Sequence, residues 1–176
     1  MRMHWASLLL CLAAHAASAQ EAPAPRPADV ATIDGIITAL YESISGPAGA
    51  PRDWARLRSL VTPDARMMPT GRRPDGTGVR RSWTVEEYIT TVGPQLVANG
   101  FFEREIGRRT DRYGNIVQLF SAYDSRRTAE DPQPFARGIN SIQLWFDGAR
   151  WWVLSILWES ESAANPIPAA YLSTGG

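Results

Sequence analysis

The sequence predicts an α+β domain in which helices occupy the first half and four long antiparallel strands the second. Apolar residues recur at helical spacing as far as Val97 and with a period of two from Phe101 onward. The strongest local signal is Asp147-Gly148, because an Asp-Gly pair between two runs rich in β-branched and aromatic residues is typical of a β-hairpin. Both faces of this hairpin, residues 137–160, are largely apolar. We therefore expect it to form the centre of a curved sheet that is covered on both sides, with a layer of helices in its concavity.

A two-residue turn at the Asp-Gly pair would fix the register of this hairpin. That register places Asn140 opposite Ser155 on one face and Arg137 opposite Trp158 on the other. Polar side chains among apolar neighbours need partners, so Asn140 and Ser155 must bond each other, the backbone or a ligand. Arg137 can stack on Trp158 or present its guanidinium to a ligand carboxylate. The pattern does not decide which face is concave.

The first 19 residues have the composition of a secretory signal peptide. Arg2 supplies a positive charge, an apolar run follows, and Ala17-Ser18-Ala19 is a cleavage signal before Gln20. We expect an exported protein, periplasmic or secreted, with no stable membrane anchor after cleavage. The predicted organisation is a signal peptide at 1–19, a Pro/Ala-rich linker at 20–29, one domain at 30–162 and a C-terminal tail at 163–176.

The composition excludes several kinds of chemistry. The only cysteine and histidines are Cys11, His4 and His15, all within the predicted signal, and the sequence contains no lysine. The mature chain would therefore lack a disulfide, a thiol nucleophile, a histidine base, a Schiff-base lysine and the ligands that transition metals prefer, so we predict no metal and no cofactor. Its 17 arginines against 18 acidic residues give a net charge near −1, which provides no field for nucleic acid or an anionic membrane.

Capping residues mark the starts of three helices. Asp29 is predicted to cap a helix from Val30 with an apolar stripe to Ile44, and Asp53 to cap a shorter second helix. Thr84 with a glutamate three residues later forms a capping box for a third helix, which ends at Asn99-Gly100.

The strands are expected in the remaining segments. Residues 65–68 predict a short strand, 101–110 and 116–126 two long ones, and 137–160 the hairpin. The Gly-rich, cationic stretch 70–82 is interpreted as a loop. Its arginines Arg72, Arg73, Arg80 and Arg81 could bind phosphate, but a solvated loop is favoured because the stretch lacks the glycine and lysine spacing of a phosphate-binding motif.

Four stretches carry a resemblance to a known family: DWARLRSLVTPDA at 53–65, QLFSAYDSR at 118–126, RGINSIQL at 137–144 and DGARWWV at 147–153. Together with the order of helices and strands, they resemble the nuclear transport factor 2-like superfamily, which includes the SnoaL-like polyketide cyclases and ketosteroid isomerase. The resemblance covers roughly residues 30–160. It implies a half-open, cone-shaped barrel with about three helices in its concavity, a deep pocket between sheet and helices, and often a dimer.

The candidate site residues follow from strand direction and chemistry. Four acidic residues lie on predicted strands and could act as a base if buried: Glu103, Glu105, Asp124 and Glu159. Neighbours on a strand point to opposite faces, and the apolar row that Tyr123 shares with Leu119 predicts that Tyr123 points inward and Asp124 outward. The predicted pocket residues are Tyr123, Arg137, Asn140, Ser155, Trp158 and Glu103. No catalytic residue is assigned.

Three functions fit this sequence. The first is an exported pocket protein that binds a small apolar or aromatic molecule without transforming it. The second is a histidine-free isomerase, cyclase or dehydratase that works through a carboxylate. The third is a dimeric accessory domain with a vestigial pocket. Because both faces of the 137–160 hairpin are apolar, we expect the convex face to contact a second copy in a homodimer.

Overall fold

A computed structural model describes residues 23–172, so the predicted signal peptide lies outside the described residues. The helices are α1 (Pro27–Val30), α2 (Ile33–Ile44), α3 (Trp54–Leu60) and α4 (Val85–Asn99). The strands are β1 (Val61–Arg72), β2 (Gly78–Arg80), β3 (Phe102–Tyr113), β4 (Ile116–Arg126), β5 (Ala136–Phe146) and β6 (Trp151–Ser160). A short 3-10 helix, Ala169–Tyr171, follows.

The six strands form one curved, unclosed sheet in the order β2-β1-β6-β5-β4-β3. Strands β3 to β6 are an antiparallel meander, and β1 pairs parallel to β6 at the other end. Helices α2, α3 and α4 pack on the concave side, which confirms the predicted α+β class. The four strands of the meander were all predicted, whereas β1 is longer than expected.

Helix α2 supplies much of the core. Its buried side chains Ile36, Ile37 and Leu40 are at most 4% exposed, and they join inward-facing residues of the meander such as Leu119 and Ile142 in one hydrophobic cluster. Burial of such side chains contributes about 1.5–3 kcal/mol each. The amphipathic stripe of α2 therefore fixes the helix in the concavity of the sheet.

Two of the three predicted helix caps are present and one is wrong. The Asp53 carboxylate accepts a hydrogen bond from the Arg56 N–H at 3.0 Å, and Thr84 forms the predicted capping box of α4. Asp29 does not cap α2; Thr32 does, through its hydroxyl and the N–H of Gly35 at 2.9 Å. Asp29 lies inside α1, within the segment predicted as a linker, and its carboxylate pairs with Arg56 at 2.7 Å.

The predicted register of the β5–β6 hairpin is wrong. The turn has four residues, because the Asp147 carboxylate accepts the backbone N–H groups of Ala149 and Arg150, both at 2.8 Å. Phe146 consequently pairs with Trp151. The side chain of Asp147 replaces the tight turn that the Asp-Gly pair alone would favour.

A β-bulge at Leu154 changes the register again. Leu144 pairs with Val153, but the next pair is Gln143 with Ser155, so Leu154 has no partner on β5. An extra residue reverses the alternation of side chains for the rest of a strand. The four-residue turn shifts the pairing by two positions and the bulge by one more, so Asn140 is opposite Trp158 rather than Ser155.

The segment 70–82 is only partly a loop. Strand β1 continues to Arg72 and pairs with β2 in the register Thr70–Arg80, which leaves residues 73–77 as the connection. In the predicted C-terminal tail, Tyr171 packs on Phe120 of β4 with ring centroids 5.4 Å apart. This part of the tail thus lies against the sheet.

A buried arginine ties the loop after α2 to the end of α4. Arg52 is 5% exposed, and its guanidinium donates to the carbonyl oxygens of Leu96 at 2.5 Å and of Gly46 and Ala50 at 2.7 Å each. A further bond reaches the Pro47 carbonyl at 3.2 Å. A cation at the carboxyl end of a helix also interacts favourably with the helix dipole.

We predict that Arg52→Met lowers the free energy of unfolding by about 3 kcal/mol, because it leaves these buried carbonyl groups without a donor. The matched control is Arg26→Met, which removes an exposed ion pair with Asp53 and should cost under about 1 kcal/mol. Urea unfolding followed by circular dichroism measures both. Equal losses in the two variants would contradict the structural role assigned to Arg52.

Candidate ligand-binding site

A cavity of about 240 Å³ lies between helices α2 and α4 and the concave face of the sheet. The loop residue Phe135 borders it together with residues of β3 to β6. Most of its lining is apolar, including Leu40, Ile44, Met67, Val92, Leu96 and Ile156. Such a lining favours a ligand with little polar surface.

One carboxyl group, that of Glu103, borders this cavity among the described residues. Its two oxygens accept hydrogen bonds from the Ser125 hydroxyl at 2.8 Å and from the Asn140 amide at 3.4 Å. Burial raises the pKa of Glu103 to about 7; these two hydrogen bonds oppose the rise, and the negative charge of Asp124 adds to it. Glu103 is therefore able to hold or release a proton near neutral pH.

Three tyrosine side chains line the same cavity as the Glu103 carboxyl group. Tyr41 comes from α2, Tyr88 from α4 and Tyr123 from β4. Burial raises the pKa of Tyr123 to about 12, against the effect of its hydrogen bond with Ser160, and the Glu103 charge adds to the rise. Tyr123 thus remains a neutral hydrogen-bond donor at physiological pH.

Aromatic packing fixes two of these rings. Tyr88 meets Trp158 edge to face, with centroids 6.2 Å apart. Tyr123 lies over Gly138, where an added Cβ would come within 2.5 Å of the tyrosine hydroxyl oxygen. Glycine at position 138 therefore allows the ring of Tyr123 to approach β5 closely.

The Asn140 amide continues the polar contacts away from the cavity. It donates to the Tyr41 hydroxyl at 3.1 Å, and that hydroxyl lies 2.7 Å from the Ser121 hydroxyl. Ser121 in turn donates to the Glu105 carboxylate at 2.6 Å. The buried polar groups of the concave face therefore satisfy one another, as buried groups must.

The structure brings four of the six predicted pocket residues to this cavity and leaves two outside it. Tyr123, Asn140, Trp158 and Glu103 border the cavity. Arg137 does not; its guanidinium pairs with Glu161 at 3.3 Å. Ser155 is also outside, because the bulge at Leu154 turns it away and brings Trp158 in.

The other acidic candidates have different surroundings. Asp124 lies on the opposite sheet face from Tyr123, as predicted, where Arg104 and Arg126 hold its pKa below the usual range against the effect of burial. Glu159 accepts a hydrogen bond from Thr70 at 3.3 Å.

Sequence reasoning missed Tyr41, Tyr88 and Ser125. The two tyrosines are part of helical apolar stripes, which are read as packing residues, and Ser125 is a common strand residue. A usable signal was present for Tyr41: a hydroxyl in the middle of a stripe that includes Ile37 and Ile44 must find a buried partner.

Two further findings apply to residues 23–172. No group of three or more histidine, cysteine, aspartate or glutamate side chains is arranged to hold a metal ion in this range. Nor does it include a helix with the length and hydrophobicity needed to cross a membrane.

We predict that the raised pKa of Glu103 makes wild-type stability fall with pH. The proton that Glu103 retains when folded stabilises the protein below about pH 4.5, and this contribution is lost as the pH rises through about 7. The rise of the Glu103 pKa from 4.5 to about 7 on folding corresponds to about 3 kcal/mol of stability. The side chain in Glu103→Gln cannot titrate. Between about pH 4.5 and 7, the free energy of unfolding of this variant should therefore rise relative to that of the wild type. Urea unfolding at several pH values measures this change. Glu159→Gln is the control, and parallel curves for wild type and Glu103→Gln would contradict the assignment.

Comparisons with known proteins identify the fold. No protein-family model matches the chain, and no curated protein matches its sequence. Among solved structures, that of LinA aligns with a TM-score of 0.55 at 11% identity over 78% of this chain and 92% of LinA. A protein of unknown function with a cystatin-like fold from Nostoc punctiforme aligns with a TM-score of 0.53 at 12% identity, over 73% of this chain and 88% of its own.

An NTF2-like protein of unknown function from Silicibacter pomeroyi aligns with a TM-score of 0.49 at 11% identity, over 74% of this chain and 94% of its own. At 11% identity the likeness to LinA shows the fold and not the activity. The resemblance inferred from the sequence is confirmed at that level: the chain has the cone-shaped, NTF2-like α+β fold.

Proposed function

We propose that the protein is an exported pocket protein that binds a small, predominantly apolar or aromatic molecule, with one polar group of the ligand against Glu103. The observation that carries this proposal is that one carboxyl group, among residues 23–172, borders a predominantly apolar cavity of about 240 Å³. Apolar walls supply binding energy, and one polar contact fixes the orientation of the ligand. Export rests on the predicted signal peptide at residues 1–19.

The protonation state of Glu103 determines which polar group it accepts. As a carboxylate it accepts a hydrogen bond from a ligand hydroxyl, whereas the protonated form donates one to a carbonyl oxygen. Because the pKa of Glu103 is about 7, both forms are populated near neutral pH. Tyr123 and Tyr88 at the cavity wall add flat aromatic surface, which suits a ring-shaped ligand.

The first experiment compares two probes that differ by one hydroxyl group. Isothermal titration calorimetry should show saturable binding of naphthalene and 1-naphthol, with 1-naphthol bound more tightly above pH 7. Glu103→Gln should weaken 1-naphthol binding about tenfold, the effect of losing one charged hydrogen bond, and leave naphthalene binding nearly unchanged. Glu159→Gln, which alters a strand carboxylate outside the cavity lining, serves as the control.

Native mass spectrometry of protein isolated from a periplasmic fraction complements this titration. A non-covalent adduct of low mass is expected on the wild type, and it should be depleted on Glu103→Gln. Absence of both an adduct and probe binding would refute the proposed function and favour a vestigial pocket.

A second candidate function is proton transfer by Glu103 next to a carbonyl group. The observation that favours it is the pKa of about 7 in an apolar cavity, because a base in this range can take up and return a proton at neutral pH. Tyr123, a neutral donor close by, is suited to polarise a carbonyl oxygen.

The test for this second function is deuterium exchange into 2-tetralone, a bicyclic ketone with acidic C–H groups, followed by NMR in D₂O. The wild type should accelerate the exchange, and the rate should rise with pH through a single titration near 7. Glu103→Gln should abolish the acceleration. If 2-tetralone binds but exchanges at the buffer rate, the protein is a binder and not a catalyst of this reaction.

A further inference from the structure

A chain of hydrogen bonds connects the cavity carboxyl group with a second carboxyl group outside the cavity lining. It runs from Glu103 through Asn140, Tyr41 and Ser121 to Glu105, with successive distances of 3.4, 3.1, 2.7 and 2.6 Å. The three linking residues are at most 7% exposed. The Glu105 side chain is 23% exposed and lies 3.5 Å from the Arg108 guanidinium. The chain thus leads from the cavity to the margin of the protein.

When Glu105 is ionised, this outer residue of the chain determines which groups donate and which accept. Burial raises the pKa of Glu105, and the Ser121 hydrogen bond and the Arg108 charge oppose that rise. An ionised Glu105 can only accept hydrogen bonds, so the Ser121 hydroxyl donates one to it and accepts one from Tyr41. The Tyr41 hydroxyl, which donates its hydrogen bond to Ser121, accepts a hydrogen bond from the Asn140 amide nitrogen. This arrangement directs the N–H groups of Asn140 toward both Tyr41 and Glu103.

The orientation of an asparagine amide is not determined by its own shape, because the two ends differ only in their hydrogen bonds. With the nitrogen toward Glu103, the amide donates and stabilises the carboxylate. With the oxygen toward Glu103, it would accept and stabilise the protonated acid. The second hydrogen-bond partner of the Asn140 amide, the Tyr41 hydroxyl, therefore determines whether the ionised or the protonated form of Glu103 is favoured.

We propose that Tyr41 is a positioning residue, which holds the Asn140 amide with its N–H groups toward Glu103 and thereby sets how readily the cavity carboxyl group releases its proton. The inference rests on the proposed function only in that Glu103 meets the ligand. It adds that a helix residue, supported by Ser121 and Glu105, controls the proton affinity of the site. The Glu103 oxygens make no direct hydrogen bond to Tyr41 among the described residues.

The effects of the other groups near Glu103 on its pKa do not depend on the orientation of the Asn140 amide. Tyr88 of α4 and Tyr123 of β4 face it as neutral phenols, and burial raises the pKa of Tyr88. Asp124, on the opposite face of the sheet, adds a negative charge that does not depend on the amide orientation. Ser125 donates to the second carboxylate oxygen in either case.

The test measures the pKa of Glu103 in unliganded protein by NMR of ¹³C-labelled glutamate carboxyl groups. In Tyr41→Phe the Asn140 amide loses the partner that orients it, so the pKa of Glu103 should rise by about one, a tenfold gain in proton affinity. Tyr88→Phe is the matched control: it makes the same chemical change in the same cavity, but outside the hydrogen-bonded chain, and should have a much smaller effect. Equal effects of the two variants would overturn the proposal.

A double-mutant comparison separates positioning from general loss of packing. Asn140→Leu removes the amide and should itself raise the pKa of Glu103. If Tyr41 acts through Asn140, adding Tyr41→Phe to Asn140→Leu changes the pKa no further. An additional rise in the double variant would refute the mechanism.

Ser121→Ala is a further test, because Asn140 and Tyr41 lie between Ser121 and Glu103 in the hydrogen-bonded chain. It deprives Tyr41 of its acceptor and should also raise the pKa of Glu103; an unchanged pKa would show that the chain transmits nothing. All of these Glu103 pKa values are measured without ligand, so their outcome does not depend on the result of the naphthol titration.

Discussion

Burial of the Glu103 carboxyl group on the concave face is energetically costly, and the hydrogen bonds from Ser125 and Asn140 partly offset that cost. Removal of a carboxylate from water without compensation costs several kcal/mol. Ser125 and Asn140 each supply a hydrogen bond to it, yet burial still prevails and raises its pKa to about 7. A residue that served only stability at this place would be apolar. The cost of burying this carboxyl group is consistent with the role in the cavity that we propose for it.

The backbone of the sheet makes this arrangement possible. The bulge at Leu154 places Trp158 and Ser160 on the concave side of β6, beside Asn140 and Gly138 of β5. Helix α2 lines one side of the cavity with Leu40, Tyr41 and Ile44, and the apolar stripe that packs it in the core also places the Tyr41 hydroxyl in the hydrogen-bonded chain. The core contacts and the polar contacts of α2 thus come from the same helix face. A shift of α2 relative to the sheet would therefore also change the contact of Tyr41 with Asn140, beside Glu103.

Much of the fold was predictable because its signals are local. The capping box at Thr84, the cap at Asp53 and the change of period at Phe101 each depend on a few adjacent residues, and each prediction agrees with the structure. The strand direction of Tyr123 followed from simple alternation. These features need no knowledge of distant contacts.

The site was predictable only in part, because the pairing of β5 with β6 depends on two irregularities that have weak sequence signals. Asp147 widens the hairpin turn with its own side chain, and the bulge at Leu154 reverses the faces of the second half of β6. The turn shifts the pairing by two positions and leaves the faces unchanged, whereas the bulge alone explains why Ser155 lies outside the cavity and Trp158 lies inside it. Tyr41 was missed for a different reason: its role depends on Asn140, 99 residues away, which no local pattern reveals.

The central claim, that the cavity holds a carboxyl group able to exchange a proton near neutral pH, can be measured directly. Infrared difference spectra between wild type and Glu103→Gln isolate the C=O stretch of the protonated Glu103. The account predicts that this band persists at pH 6 and is half lost at about pH 7. Loss of the band by about pH 5, as for an ordinary glutamate, would contradict it.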